Sequence, residues 1–298
     1  MSGQIPSLGK SGQVAVVTDS VAQVPGEVAQ ELQISVVPSI VIVDGREYRD
    51  GLDINPQELY QRMRREVLVL QTTAPPVGLF YEAFKEVLKF GASSVLYVGL
   101  TSQLSATFSS AEAAAHVLRQ EYPDQPIELY DSKTATIAQG FIAIEAARLA
   151  VENASLAQVL ARSVDVRSRV GFVATLETLD YLARGGRIGK AAYLMGSLIK
   201  ILPVLTIDEN GMVVPTARVR GERKVLERLV NSVARMVEGC RNLKLAIMHA
   251  DAHAKAAELE GIIREKLRPD ELFFTDFTPV MGAHAGPGVI GVAYHYEN

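Results

Sequence analysis

Tryptophan is absent from this 298-residue chain and cysteine occurs once, at Cys240. A single thiol excludes an internal disulfide and any zinc or iron–sulfur site built from several thiolates. No apolar run approaches the ~20 residues that a membrane helix needs, although the mean hydropathy of +0.14 is high for a water-soluble chain. A basic excess is missing too. The 30 Lys and Arg face 34 Asp and Glu, a formal net charge of −4, which argues against a dedicated nucleic-acid binder. Met1 to Gln13 are polar and rich in Gly and Ser, without the apolar stretch of a secretory signal. The expected location is the cytoplasm. Two catalytic signatures are also lacking: the G-x-S-x-G nucleophile elbow and the G-x-x-x-x-G-K-[ST] phosphate loop.

What is present is core. Hydrophobic residues make up 48% of the chain, and a fold of this length buries roughly three quarters of its unfolded surface. Apolar runs at Val14 to Thr18, Ile34 to Val43, Ser94 to Gly99 and Ile127 to Tyr130 alternate with helical patterns. That alternation predicts a parallel sheet wrapped by helices. Polar residues gather where these strands end, at Asp19-Ser20, Ser102, Ser105 and Asp131-Ser132, which is where such sheets bind ligands. After about Val164 the pattern changes. Asn210-Gly211 between two apolar runs is a strong hairpin signal, so the second half should hold a mixed sheet. We expect a tail over residues 1–13, an α/β/α domain over 14–165 and a second α/β domain over 166–298, with a ligand between or beside the two.

Several local patterns have an ordinary reading. Gly286-Pro287-Gly288-Val289-Ile290-Gly291 matches G-x-G-x-x-G, but it precedes an apolar run at the chain's end instead of opening a helix, so a tight turn is expected. His249-Ala250-Asp251-Ala252-His253 straddles a strand end and a helix start. There Asp251 is expected to cap the helix, and no metal site is assigned. Gly185-Gly186-Arg187-Ile188-Gly189-Lys190 reads as a helix stop followed by the next helix start. There remain hydroxyl residues at turns: Ser102 and Ser105 at a helix start, and Thr72-Thr73 before Pro75-Pro76. His284 stands in a glycine-rich turn. Together they could hold a carboxylate or phosphate, provided that the fold assembles them; Ser102 or Ser105 could equally be a plain N-cap.

Over nearly its whole length after the tail, the chain resembles the DegV family of bacterial fatty-acid-binding proteins. Val17-Thr18-Asp19-Ser20 resembles that family's opening strand, and Thr72-Thr73-Ala74-Pro75-Pro76 sits where the family has T-S-Q-P-S. Leu104 to Phe108 resembles L-S-G-T-Y, and Tyr130-Asp131-Ser132 the next strand end. Leu179 to Ile188 is similar to L-x-x-L-x-x-G-G-R-I, Ile199 to Leu205 to a K-P-I-L segment, and His284 to Gly288 to H-x-G-P-G. The resemblance implies an α/β fold of two domains, one α/β/α with a parallel sheet and one with a mixed sheet.

By the same resemblance the chain holds one long-chain fatty acid, its carboxylate near Ser105, Thr72 or Thr73, and His284, with no cofactor. Ala191, Ala192, Met195 and Gly196, beside Leu194 and Leu198, would permit a tunnel for the tail. At ~0.8 kcal/mol per methylene, a sixteen-carbon tail offers on the order of 10 kcal/mol before ordering costs. The resemblance also implies a partner, a separate ATP-dependent fatty acid kinase that phosphorylates the bound carboxylate for phospholipid synthesis, and transient contact with a membrane surface. Arg187, Arg220 and Arg223 are the docking candidates, with Lys190 and Lys200 behind them. Family positions filled here by Thr73-Ala74 and Ala106 differ in type, which bears on acyl preference. Two alternatives stay open: an acyl hydrolase or transferase using Ser105 as nucleophile, His284 as base and Asp131 as orienter, or a lipid-sensing regulatory module.

Overall fold

The computed structural model describes residues 12–196 and 201–298. Residues 1–11 of the expected tail, and Leu198, Ile199 and Lys200, lie outside the described residues. The strands are β1 (Val14–Asp19), β2 (Ser35–Val37), β3 (Ile40–Val43), β4 (Arg46–Arg49), β5 (Leu70–Thr73), β6 (Ser94–Gly99), β7 (Ile127–Asp131), β8 (Val170–Thr175), β9 (Leu202–Ile207), β10 (Val213–Val219), β11 (Arg241–His249), β12 (Glu271–Asp276) and β13 (Ile290–Glu297). They form three sheets.

The first sheet has the order β2-β1-β6-β7, and every neighbouring pair is parallel. β1 and β6 are buried at every position, which is why they read as unbroken apolar runs and not as alternating ones. The second sheet is mixed, in the order β10-β9-β8-β13-β11-β12, antiparallel throughout except for β11 with β12. The Asn210-Gly211 signal lies between β9 and β10, which pair as the expected antiparallel hairpin.

One helix binds the two sheets. Thr136–Val151 packs on β1 and β6 on one side and on β8 and β13 on the other. Nearly every residue in it is buried, as a helix apolar all round must be. Its many alanines let both sheets approach closely. Glu145 is the charge in its buried stretch, and Lys244 and Arg162 each reach it at 2.7 Å. Among the described residues no helix is long and apolar enough to cross a membrane.

The third sheet, β4-β3-β5, is antiparallel and was not foreseen. Ile34 to Val43 reads as one strand, but the chain leaves the parallel sheet at Val37 and re-enters a ladder at Ile40. Pro38, which has no N–H to donate, stands at the break. Asp44-Gly45 turns β3 into β4. Thr72 and Thr73 are likewise strand residues and not turn residues, paired with Val41 and Ile40. His284 occupies the last turn of the helix Pro279–Ala285, not a glycine-rich loop; Gly282 lies within that helix, and Gly286 and Gly288 follow it. Asp251 does not cap the helix His253–Lys266, whose start has no side-chain cap; its carboxylate pairs instead with Arg64.

Candidate functional site

A cavity opens beyond the carboxyl ends of β1 and β6, against β5, β8 and β9 and the helix Pro279–Ala285. It encloses about 950 Å³ of space, part of it continuous with solvent. Most of its wall is apolar, with Leu100, Phe172, Leu205, Phe277, Val280 and Val289 among the lining residues. Thr72, Thr73, Ser105 and His284, singled out in the sequence from separate segments, all line it. So does Arg187.

Each of these groups is positioned by its element. Thr72 Oγ1 lies 2.8 Å from His284 Nε2. Asp50 accepts a hydrogen bond from the Val280 N–H, 2.9 Å, and another from Ser20 Oγ, 2.6 Å, fastening the His284 helix to the end of β1. The Tyr60 hydroxyl adds a bond to the carbonyl of Thr278, 2.9 Å. Ser105 precedes the helix Thr107–Glu121, where its Oγ accepts the Thr107 N–H at 3.2 Å and meets Thr107 Oγ1 at 2.8 Å. It therefore behaves as a local turn former while still facing the cavity. Its loop is secured by Asp19, which accepts the Leu100 N–H at 3.0 Å along with Tyr97 and Gln139. Burial raises the Asp19 carboxyl above the usual range, and these bonds oppose the shift.

The electrostatics favour a neutral imidazole facing a cation. Burial, followed by the positive charge of Arg187, pushes His284 down to about 4. Its Nδ1 has no partner among the described residues, and Gly185 lies so close that a Cβ there would fall 2.2 Å from it. Arg187 Nε donates to the Leu104 carbonyl at 3.0 Å and Nη1 to the Gly185 carbonyl. It has no carboxylate partner among the described residues, so a half-buried positive charge faces the cavity without a counter-ion. The other cations lie elsewhere. Arg220 and Arg223 do not line the cavity; Arg223 pairs with Glu227 at 3.4 Å and Lys190 with Asp208 at 2.9 Å.

The family model described as "Uncharacterised protein, DegV family" matches residues 13–297. The chain belongs to the DegV family. A DegV domain-containing protein of Halalkalibacterium halodurans is 31% identical over 287 residues, covering 96% of this chain and 99% of the relative. Among solved structures, a DegV family protein from Thermus thermophilus, named for its fatty acid binding, is similar at a TM-score of 0.88 and 30% identity, covering 95% of this chain and 99% of its own. Bacillus subtilis DegV, named a fatty acid binding protein, is similar at 0.86 and 28%, covering 96% and 100%. The α/β fold with one parallel and one mixed sheet is the DegV architecture.

Within this DegV chain the parts of a Ser–His–Asp relay are not joined to one another. Ser105 is bonded to Thr107, His284 to Thr72, and Asp131 to Ser102 at 2.7 Å and to the Lys133 N–H at 2.9 Å. A nucleophile, its base and an orienter need direct hydrogen bonds between them. Four lining hydroxyls, on Ser39, Thr107, Thr136 and Thr206, were missed in the sequence. Thr107 stood in the motif Leu104 to Phe108 but was passed over, although a hydroxyl two residues beyond Ser105 is the spacing of a side-chain turn. Ser39 gave no signal, being enclosed in a run read as a single strand.

Proposed function

We propose that this chain binds one long-chain fatty acid in the cavity and presents its carboxylate to a separate ATP-dependent kinase for acyl-phosphate formation. The observation that carries the reading is the combination of a largely apolar cavity with Ser105, Thr72, Thr73, His284 and Arg187 in its wall. Hydroxyl donors satisfy a carboxylate that would be costly to bury unpaired, and charge-assisted bonds from an arginine are about twice as strong as neutral ones. Arg187 therefore moves from the docking set to the head-group set. The solved relatives from Thermus thermophilus and Bacillus subtilis, named for fatty acid binding, support the ligand class.

In this reading units 14–165 and 166–298 meet at the cavity, and the chain works in the cytoplasm without a cofactor, touching membranes only to exchange lipid. Its role is binding and not turnover, since the hydroxyl, imidazole and carboxylate of a hydrolase are engaged elsewhere. Arg220 and Arg223 are left as the docking cations for the kinase, which supplies the nucleotide site. Native mass spectrometry of the protein purified from bacteria should show one co-purified long-chain acid, and a fatty acid kinase given ATP should convert it to the acyl phosphate. Repeated recovery of an empty chain without measurable affinity for fatty acids would refute the binding. A bound acid that no such kinase phosphorylates would refute the carrier role.

A further inference from the structure

The two ring nitrogens of His284 have unequal surroundings. Nε2 stands 2.8 Å from Thr72 Oγ1 in the cavity wall. Nδ1 is buried and has no hydrogen-bond partner among the described residues. Gly185 covers that side of the ring, so closely that a Cβ there would fall 2.2 Å from Nδ1 and 2.8 Å from Cε1. A nitrogen covered in this way is closed to a ligand in the cavity.

These surroundings decide which nitrogen carries the proton. Burial, followed by the positive charge of Arg187, disfavours a second proton, so the neutral ring has one N–H and one bare lone pair. An N–H at Nδ1 would be stranded without an acceptor, and buried orphan donors are rarer than under-used acceptors. The proton therefore belongs on Nε2, where Thr72 Oγ1 accepts it. A hydroxyl that accepts from the imidazole keeps its own proton to give. Thr72 Oγ1 has no other hydrogen bond among the described residues, so that proton is free for a group in the cavity. The opposite tautomer would take the Thr72 proton for the ring and leave the hydroxyl with lone pairs only, which repel a carboxylate.

We propose that His284 is a positioning residue in head-group binding: it donates from Nε2 to Thr72 and so turns the Thr72 hydroxyl proton toward the carboxylate, without touching the ligand itself. The inference rests on the fatty-acid reading of the cavity. Gly185 has a part in it, because a residue without a side chain lets the ring pack with Nδ1 shut away. Arg187 supplies the positive charge and Thr72 an oriented donor.

The tautomer is read by long-range proton–nitrogen correlation spectra of the full chain, its histidines labelled with nitrogen-15 and its lipid removed, at pH 7.5. His284→Gln assigns the resonances. Nδ1 of His284 should appear unprotonated and Nε2 protonated; the reverse overturns the proposal. Dissociation constants for hexadecanoic acid then test the route through Thr72. His284→Leu should bind about fivefold to tenfold more weakly than the wild type, the worth of one hydrogen bond. His284→Gln, which keeps an N–H for Thr72, should recover most of that loss. In a Thr72→Val background His284→Leu should cost nothing further. An equal cost in both backgrounds, or no recovery by His284→Gln, overturns the proposal. A wild type that binds no long-chain acid refutes the fatty-acid reading itself, a separate result, since the tautomer is read on the empty protein.

Discussion

Thr72 Oγ1 and His284 Nε2 stand 2.8 Å apart although 212 residues separate them in the chain. The pair joins β5 to the helix Pro279–Ala285 in the cavity wall, where burial favours the neutral imidazole. In the fold His284 titrates at about 4, chiefly through burial, against 6.5 for an unperturbed histidine. Between those values the unfolded chain binds more protons than the folded one, so stability is full above pH ~6.5 and falls as the pH drops toward 4. Over the whole window the loss amounts to about 3 kcal/mol. His295, fully buried and also pushed down to about 4 by burial, contributes in the same direction. Urea unfolding at pH 7.5 and pH 5 should therefore show the wild type losing stability, and His284→Gln losing about 2 kcal/mol less. Equal losses in the two proteins would show that His284 ionises as freely in the fold as outside it.

Head-group affinity should separate the cations. Arg187 lines the cavity and bonds only carbonyls among the described residues, whereas Arg223 is 82% exposed and paired with Glu227. Arg187→Ala should weaken fatty acid binding by about tenfold to a hundredfold, the worth of a bond to a charged group. Ser105→Ala should cost about tenfold, with the fold retained. Arg220→Ala and Arg223→Ala should leave lipid affinity within twofold or so, as exposed charges do, but slow phosphorylation of the bound acid by the kinase. Titration calorimetry and a single-turnover kinase assay read the two effects separately.

Much of this arrangement was legible in the sequence because it rests on local signals. The buried strands β1 and β6 read as apolar runs, Asn210-Gly211 marked the hairpin, and Ser105 and His284 stood in motifs. The three-stranded sheet was not legible. Its strands are only four residues long, two of them fall where a longer strand or a turn fits equally well, and their pairing across about thirty residues is a tertiary choice. The place of Arg187 was hidden for a similar reason. An arginine after Gly185-Gly186 is an ordinary surface cation until the Leu104 carbonyl draws it inward. Ser39 carries no local mark at all.

Glu145, His295 and Glu297 place potential ligand atoms within 4.8 Å of one another, the spacing of a metal site, but their chemistry is already committed. Lys244 and Arg162 each bond Glu145 at 2.7 Å, and Arg162 also bonds Glu297 at 2.5 Å. Burial would raise the Glu145 carboxyl, yet the bonds from Lys244 and Arg162 bring it down to about 2. A divalent ion would have to displace both cations. Removing the carboxylate leaves them buried without a counter-charge, so Glu145→Ala should lose about 3–5 kcal/mol. Millimolar zinc should not raise the melting temperature of the wild type, as measured by calorimetry; a rise of several degrees would reassign the cluster.

The Ser105 loop also depends on the tip of the β9–β10 hairpin. Gly211 has φ +85°, and its carbonyl accepts the Thr101 hydroxyl at 3.3 Å. A Cβ there would come within 2.0 Å of Thr101 Oγ1 and 3.3 Å of the Gln103 side chain. Gly211→Ala therefore meets two obstacles, a left-handed backbone unfavourable to alanine and a neighbour in the way. The loop from Leu100 to Ser105 must shift to make room. Stability should fall by about 1–3 kcal/mol, and fatty acid affinity should fall as well, although Gly211 does not line the cavity. Thr101→Ser removes only a methyl group and should leave both properties close to wild type. Combined with Gly211→Ala it should recover little, because the Oγ that the new Cβ strikes is still present. Thr101→Ala in the same background removes that oxygen and should recover part of the affinity. Fluorescent fatty-acid displacement on the set decides the matter: a Gly211→Ala protein with wild-type affinity would mean that the hairpin tip does not hold the Ser105 loop in place.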